Sequence, residues 1–90
     1  MKRRLELTIY GIVQGVGYRY LSRNEAQRKG FTGYVKNLGD GSVRLVVEGK
    51  EQDLKNFVQW CYNGVGPATV YNIEESWLEA TGEFSDFVIR

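Results

Sequence analysis

The chain contains no histidine, one cysteine (Cys61) and one proline (Pro67). Each scarcity excludes a kind of chemistry. Without histidine, the commonest general base and the commonest transition-metal ligand are both gone. A single cysteine permits neither an intrachain disulfide nor a thiolate metal cluster. An excess of one charge is missing too, since 12 Lys and Arg against 11 Asp and Glu leave a net +1. That is too little for a domain built to track nucleic-acid phosphates or a membrane surface. No run approaches the roughly 20 apolar residues that span a bilayer. Glu6 and Thr8 also break the N-terminal segment that a secretory leader would keep apolar. The expectation is a cytoplasmic protein that works with arginine, lysine, carboxylates, amides, hydroxyls and backbone groups.

What is present favours one compact domain over residues 1–90. Hydrophobic residues make up 42% and aromatics 13%, well above the range of disordered chains. A chain of this size buries only about 60 to 65% of its unfolded surface, enough for one core and a shallow surface site. Residues 5 to 13 alternate in hydropathy and read as a strand. Tyr18 to Lys29, free of Gly and Pro, reads as a helix closed by Gly30. Strands at 31 to 36 and 42 to 48 flank Asn37-Leu38-Gly39-Asp40-Gly41, whose Asp-Gly pair signals a hairpin. Leu54, Phe57, Val58 and Cys61 fall at i, i+3, i+4 and i+7 and make the apolar face of a second helix.

Gly64-Val65-Gly66-Pro67 breaks the chain before a strand from Val70 to Trp77, with Tyr71, Ile73 and Trp77 expected on one face. A short last strand falls near Phe87 to Ile89. The order β-α-β-β-α-β predicts an α+β, ferredoxin-like split βαβ sandwich: an antiparallel sheet with two helices on one face. In this order the first and third strands are central neighbours, which lets Asn37 and the loop after the first strand share one end of the sheet.

The chemistry centres on Gly11-Ile12-Val13-Gln14-Gly15-Val16-Gly17-Tyr18-Arg19. A glycine-rich turn between a strand and a helix N-terminus can converge backbone N–H groups on an anion. Arg19 in the first turn would add a bidentate fork. The Gly-Lys-Ser/Thr of a nucleotide P-loop is absent, and Tyr20 stands where the dinucleotide fingerprint needs its last glycine. Residue chemistry alone leaves two readings, an anion site or a plain connecting turn with Arg19 in solvent. Asn37 likewise reads either as a turn residue bonded to its own backbone or as an amide that holds a water. Cys61 completes an apolar stripe and reads as core. Tyr18, Tyr20, Trp60 and Trp77 lack the aromatic pattern of an RNA-binding sheet, so no nucleic-acid partner is expected.

These residues carry a resemblance. Gly-x-Val-Gln-Gly-Val-Gly-Tyr-Arg, then Ala26, Gly30, Gly33-Tyr34-Val35-x-Asn37, Asp40-Gly41-x-Val43, Gly49 and Ala68-x-Val70 strongly resemble the acylphosphatase family across nearly the whole chain. The resemblance implies hydrolysis of the carboxyl–phosphate bond of a small acyl phosphate, with inorganic phosphate as product and inhibitor. It implies no cofactor and no metal; the absence of a membrane partner and a monomeric state are further expectations. It maps the catalytic residues onto Arg19 and Asn37, and phosphate binding onto Gly15, Val16, Gly17, Tyr18 and Arg19. The sequence departs from the family at Ile12, where Arg is usual, and at Tyr18 and Tyr34, where Phe and Trp are common. It departs again at Gly64-Val65, where Gly-Pro is frequent.

Overall fold

The computed structural model describes residues 1–63 and 65–90. Gly64, part of the expected chain break, lies outside the described residues. The elements are β1 (Lys2–Ile12), α1 (Tyr18–Arg28), β2 (Thr32–Asn37), β3 (Val43–Lys50), α2 (Glu51–Asn63), β4 (Thr69–Glu79) and β5 (Phe87–Ile89). They form one five-stranded sheet in the order β4-β1-β3-β2-β5. The first four strands pair antiparallel, and β5 adds to β2 in parallel. The sheet is therefore mixed at one edge. The ferredoxin-like order inferred from the sequence is the one observed.

The helices start and stop for local reasons. α1 ends where Phe31 N–H reaches the Ala26 carbonyl (2.9 Å) and Gly30 N–H the Gln27 carbonyl (3.0 Å). This closure needs a left-handed residue, and Gly30 supplies it at φ 76°. α2 opens with Glu51 and Asp53 in its first turn, where acidic groups complement the helix dipole. Its Leu54, Phe57, Val58 and Cys61 are all buried, as their spacing requires. They pack on Leu5, Leu7 and Ile9 of β1 and Leu45 and Val47 of β3 in a single core. Cys61 is wholly enclosed, and burial pushes its thiol up to about 12.

The alternation of β4 is interrupted. Tyr10 pairs with Asn72 while Gly11 pairs with Val70, so Tyr71 is an extra, bulged residue. The bulge reverses the facing of residues before it. Ile73 is buried, Trp77 and Val70 pack against the core, and Tyr71 stands in solvent. The expectation that Tyr71 shares the face of Ile73 and Trp77 is corrected accordingly.

The sheet face away from the helices is not left open. The segment 80–86, which links β4 to β5, crosses it and is fastened to Glu48. That carboxylate accepts bonds from Arg4 Nε (2.9 Å), Thr81 N–H (3.0 Å) and Gly82 N–H (3.1 Å). Burial alone would raise the Glu48 carboxyl, but the Thr81 and Gly82 amides and Arg4 outweigh it and hold it below its ordinary value. Phe84 in the same segment meets the Tyr34 ring edge-on at 5.9 Å, and Arg4 lies 5.0 Å from the Phe84 ring. Tyr34, one of the departures from the family pattern, thus serves as a packing surface for this strap.

Candidate active site

Strand order alone brings two distant segments together. β1 and β2 both run antiparallel to the β3 that separates them, so their C-terminal ends lie at the same end of the sheet. The loop leaving β1 and the hairpin leaving β2 therefore emerge side by side. Gln14 ties them. Its Nε2 donates to the carbonyls of Leu38 (2.8 Å) and Ser42 (2.9 Å), at either side of the hairpin tip.

The loop turns into α1 through two glycines with positive φ, Gly15 at 76° and Gly17 at 81°. Gly17 is the N-cap, and no side chain bonds the helix end. Its first turn contains no acidic residue. The first amide engaged is Leu21 N–H, on the Gly17 carbonyl at 3.0 Å. Among the described residues, none of the amides from Gly15 to Tyr20 donates to another protein group. A helix end in this condition carries uncompensated positive potential and favours an anion.

Tyr18 fixes the start of the helix. Its ring is buried, and its hydroxyl donates to the Cys61 carbonyl of α2 at 2.9 Å. Burial lifts the phenol well above its ordinary value, so it remains a neutral donor. The departure from Phe at this position therefore adds a bond between the two helices.

A cleft of about 200 Å³ opens at this end of the sheet, lined by Gly15, Gly17, Tyr18, Arg19 and Asn37 together with Val13, Tyr20 and Ile89. Of the residues assigned to the site from the sequence, only Val16 is absent from the lining; its side chain packs against the core instead. Arg19 is half-buried and joins no ion pair or hydrogen bond through its guanidinium among the described residues. Asn37 is half-buried as well, and its Oδ1 is buried without a hydrogen-bond partner among them. The side-chain bonds at the hairpin tip are made by Asp40, whose carboxylate accepts from Ser42 N–H (2.9 Å) and the Ser42 hydroxyl. Those bonds hold the Asp40 carboxyl below its ordinary value. Of the two readings open for Asn37, the self-bonded turn residue is the one the geometry contradicts.

Three lining residues had not been assigned to the site. Tyr20 follows Arg19 directly, a proximity readable in the sequence. Val13 ends the alternating run of β1. Ile89 had no local signal, since it reaches the cleft only through the parallel pairing of β5 with β2. Among the described residues, no group of three or more Cys, Asp or Glu is placed to hold a metal ion. No helix in them is long and apolar enough to cross a membrane.

A ferredoxin-like sheet thus brings a glycine-rich loop at a helix N-terminus, an arginine and an amide to one cleft. The comparisons with known proteins specify it further. The acylphosphatase family model matches residues 5–89. Curated acylphosphatases from Caldanaerobacter subterraneus subsp. tengcongensis and Geotalea uraniireducens are 46% and 44% identical over 89 residues. The matches cover 99% of this chain, and 99% and 98% of those proteins. The crystal structure of acylphosphatase from Bacillus subtilis matches with a TM-score of 0.93 at 33% identity, over 98% of both chains. The chain belongs to the acylphosphatase family, and its class of activity is that of an enzyme hydrolysing acyl phosphates.

Proposed function

We propose that the cleft hydrolyses the carboxyl–phosphate bond of a small acyl phosphate, with Arg19 and the loop amides gripping the phosphoryl group and Asn37 orienting the attacking water. The observation that supports this most is that a single cleft is lined by Gly15, Gly17, Arg19 and Asn37. Phosphoryl transfer develops charge on the equatorial oxygens, so positioning and electrostatic stabilisation do most of the catalytic work. Arg19 offers a planar fork with no competing ion pair among the described residues, and the unengaged amides from Gly15 to Tyr20 would add positive potential of the same sign.

The water oxygen attacks phosphorus in line with the bond to the acyl oxygen. That bond breaks, and its electron pair leaves with the carboxylate. The proton released by water passes to a phosphoryl oxygen, giving inorganic phosphate. A carboxylate leaves readily, so no general acid is required, in keeping with a chain that contains no histidine. Asn37 suits the remaining task, because an amide both donates and accepts and its Oδ1 is not engaged elsewhere among the described residues. The reading uses no metal or cofactor. We also place the protein in the cytoplasm as a monomer; its one cysteine is a buried, free thiol, as a reducing compartment would keep it.

The test is hydrolysis of benzoyl or acetyl phosphate by the purified protein, with chelator present and inorganic phosphate as competitor. The expected result is chelator-insensitive turnover inhibited competitively by phosphate. Phosphate binding without turnover would instead make the domain a silent ligand-binding relative. Activity lost to chelator would overturn the metal-free mechanism.

A further inference from the structure

We infer that Arg23, one helical turn beyond Arg19, is a second cation of the phosphoryl site: it draws the phosphoryl anion toward the cleft without gripping it. For the substrate the inference rests on the acyl phosphate reading above, but inorganic phosphate carries the same kind of charge. The near-neutral total of +1 conceals an uneven distribution. α1 and the lysine that caps it carry Arg19, Arg23, Arg28 and Lys29 against one acid, Glu25. β4, at one edge of the sheet, carries Glu74, Glu75 and Glu79 and no Lys or Arg. α1 packs on β2 and β5, toward the other edge. The molecule is therefore polarised across its sheet, and the cleft opens at the start of the basic helix.

The cations of this helix are not equivalent. Arg28 is paired with Glu25, through Nε (3.1 Å) and Nη2 (2.8 Å). Arg23 joins no ion pair among the described residues, and its Nε and Nη2 reach a neutral acceptor, Asn24 Oδ1, at 3.3 Å each. Residues four apart on a helix share one side, about 5 to 6 Å apart at Cβ, so Arg23 stands beside Arg19. Its guanidinium also lies 4.8 Å from the centroid of the Tyr20 ring, and that ring lines the cleft. The half-buried Arg23 charge is thus held at the rim of the cleft, uncompensated. Charge placed this way attracts an approaching anion through space and is weakened by salt. It acts alike on bound substrate, transition state and phosphate, so it lowers KM and strengthens product inhibition without raising kcat.

The experiment measures kcat and KM for benzoyl phosphate, and the dissociation constant of inorganic phosphate, in the wild type, Arg23→Gln, Arg23→Glu, Arg23→Lys and Arg28→Gln. Each is run at about 0.01 M and about 1 M salt, between which the screening length falls from roughly 30 Å to roughly 3 Å. At low salt Arg23→Gln should raise KM and the phosphate constant together by about threefold, and Arg23→Glu by about tenfold, with kcat unchanged. At high salt both differences should vanish. Arg23→Lys should match the wild type, since a point charge suffices where no fork is made. Arg28→Gln, a paired position farther along the helix, should change either constant by less than about twofold. Phosphate affinity equal to wild type at low salt in both Arg23→Gln and Arg23→Glu overturns the inference. So does a loss that persists at high salt, the mark of a damaged loop. A wild type that binds phosphate without turning over benzoyl phosphate overturns the acyl phosphate reading alone, because the binding measurements still decide the role of Arg23.

Discussion

Two clusters of charge sit on opposite sides of one small sheet and are built on opposite plans. Around Glu48, every polar group finds a partner: Arg4, Thr81 N–H, the Thr81 hydroxyl and Gly82 N–H converge on one carboxylate, and Arg4 also meets Glu6 and Glu83. In the cleft, among the described residues, the Arg19 guanidinium has no counter-ion, the loop amides have no acceptor and Asn37 Oδ1 has no donor. A buried polar atom left without a partner costs about 1 to 3 kcal/mol. A domain of 90 residues has only about 5 to 15 kcal/mol of net stability to set against such costs. The saturated cluster ties the 80–86 segment to the sheet, and the unsaturated one is where the proposed mechanism places the ligand.

If that division is right, mutations on the two sides should fail in different ways. The largest effect belongs to Arg19→Ala. We expect turnover of acyl phosphate to fall by roughly 10³ or more, as when an arginine that neutralises transferring phosphoryl charge is removed, with thermal stability unchanged or slightly raised. Arg19→Lys should recover little, because a point charge does not reproduce the fork. Asn37→Ala comes next, with kcat reduced by about 10² to 10³ and inhibition by inorganic phosphate largely kept. Wild-type turnover in that variant would remove Asn37 from the mechanism.

Gln14→Ala tests the link between the two halves of the cleft. It touches no substrate in the proposed mechanism, yet it should lower kcat by up to about 10², the scale of a 1 Å misplacement. KM for acyl phosphate should change less. Glu48→Ala should act in the opposite sense, costing about 3 kcal/mol, the lower end for a broken buried pair because Arg4 keeps Glu6 and Glu83. Turnover at neutral pH should change by no more than about twofold.

The Glu48 carboxyl titrates below its ordinary value in the folded state. Its contribution to stability is therefore complete above the ordinary carboxylate range and is lost as pH falls through the lower, folded-state value. Urea midpoints measured between neutral and acid pH should decline for the wild type and decline less steeply for Glu48→Gln.

Most of the elements were readable because their periodicities are strong. α2 shows its apolar stripe in four residues, and the Asp40-Gly41 turn is marked by composition. The cleft was half readable. A loop with positive-φ glycines ahead of a helix bearing Arg19 has a physical signature, whereas Asn37 looks like many turn residues, and its role was suggested by the family pattern alone. In the structure Asp40 makes the side-chain bonds of the turn, and Asn37 Oδ1 has no partner among the described residues.

Other features had no local trace. The Tyr71 bulge inserts one residue without any change of composition. Glu48 sits in the polar half of an alternating strand and reads as solvent-facing, until a segment more than thirty residues later folds over it. Ile89 reaches the cleft through a strand pairing that no short window contains.

The enclosure of Cys61 gives the molecule a clock. Its thiol is shut between α2 and the sheet and is held protonated far above neutral pH, so an alkylating reagent reaches it only in molecules that have transiently come apart. The rate of labelling at fixed pH therefore counts openings of the core. Each variant's effect on the core could be read from that rate without any substrate, and losses of chemistry separated from losses of structure by a single sulfur atom.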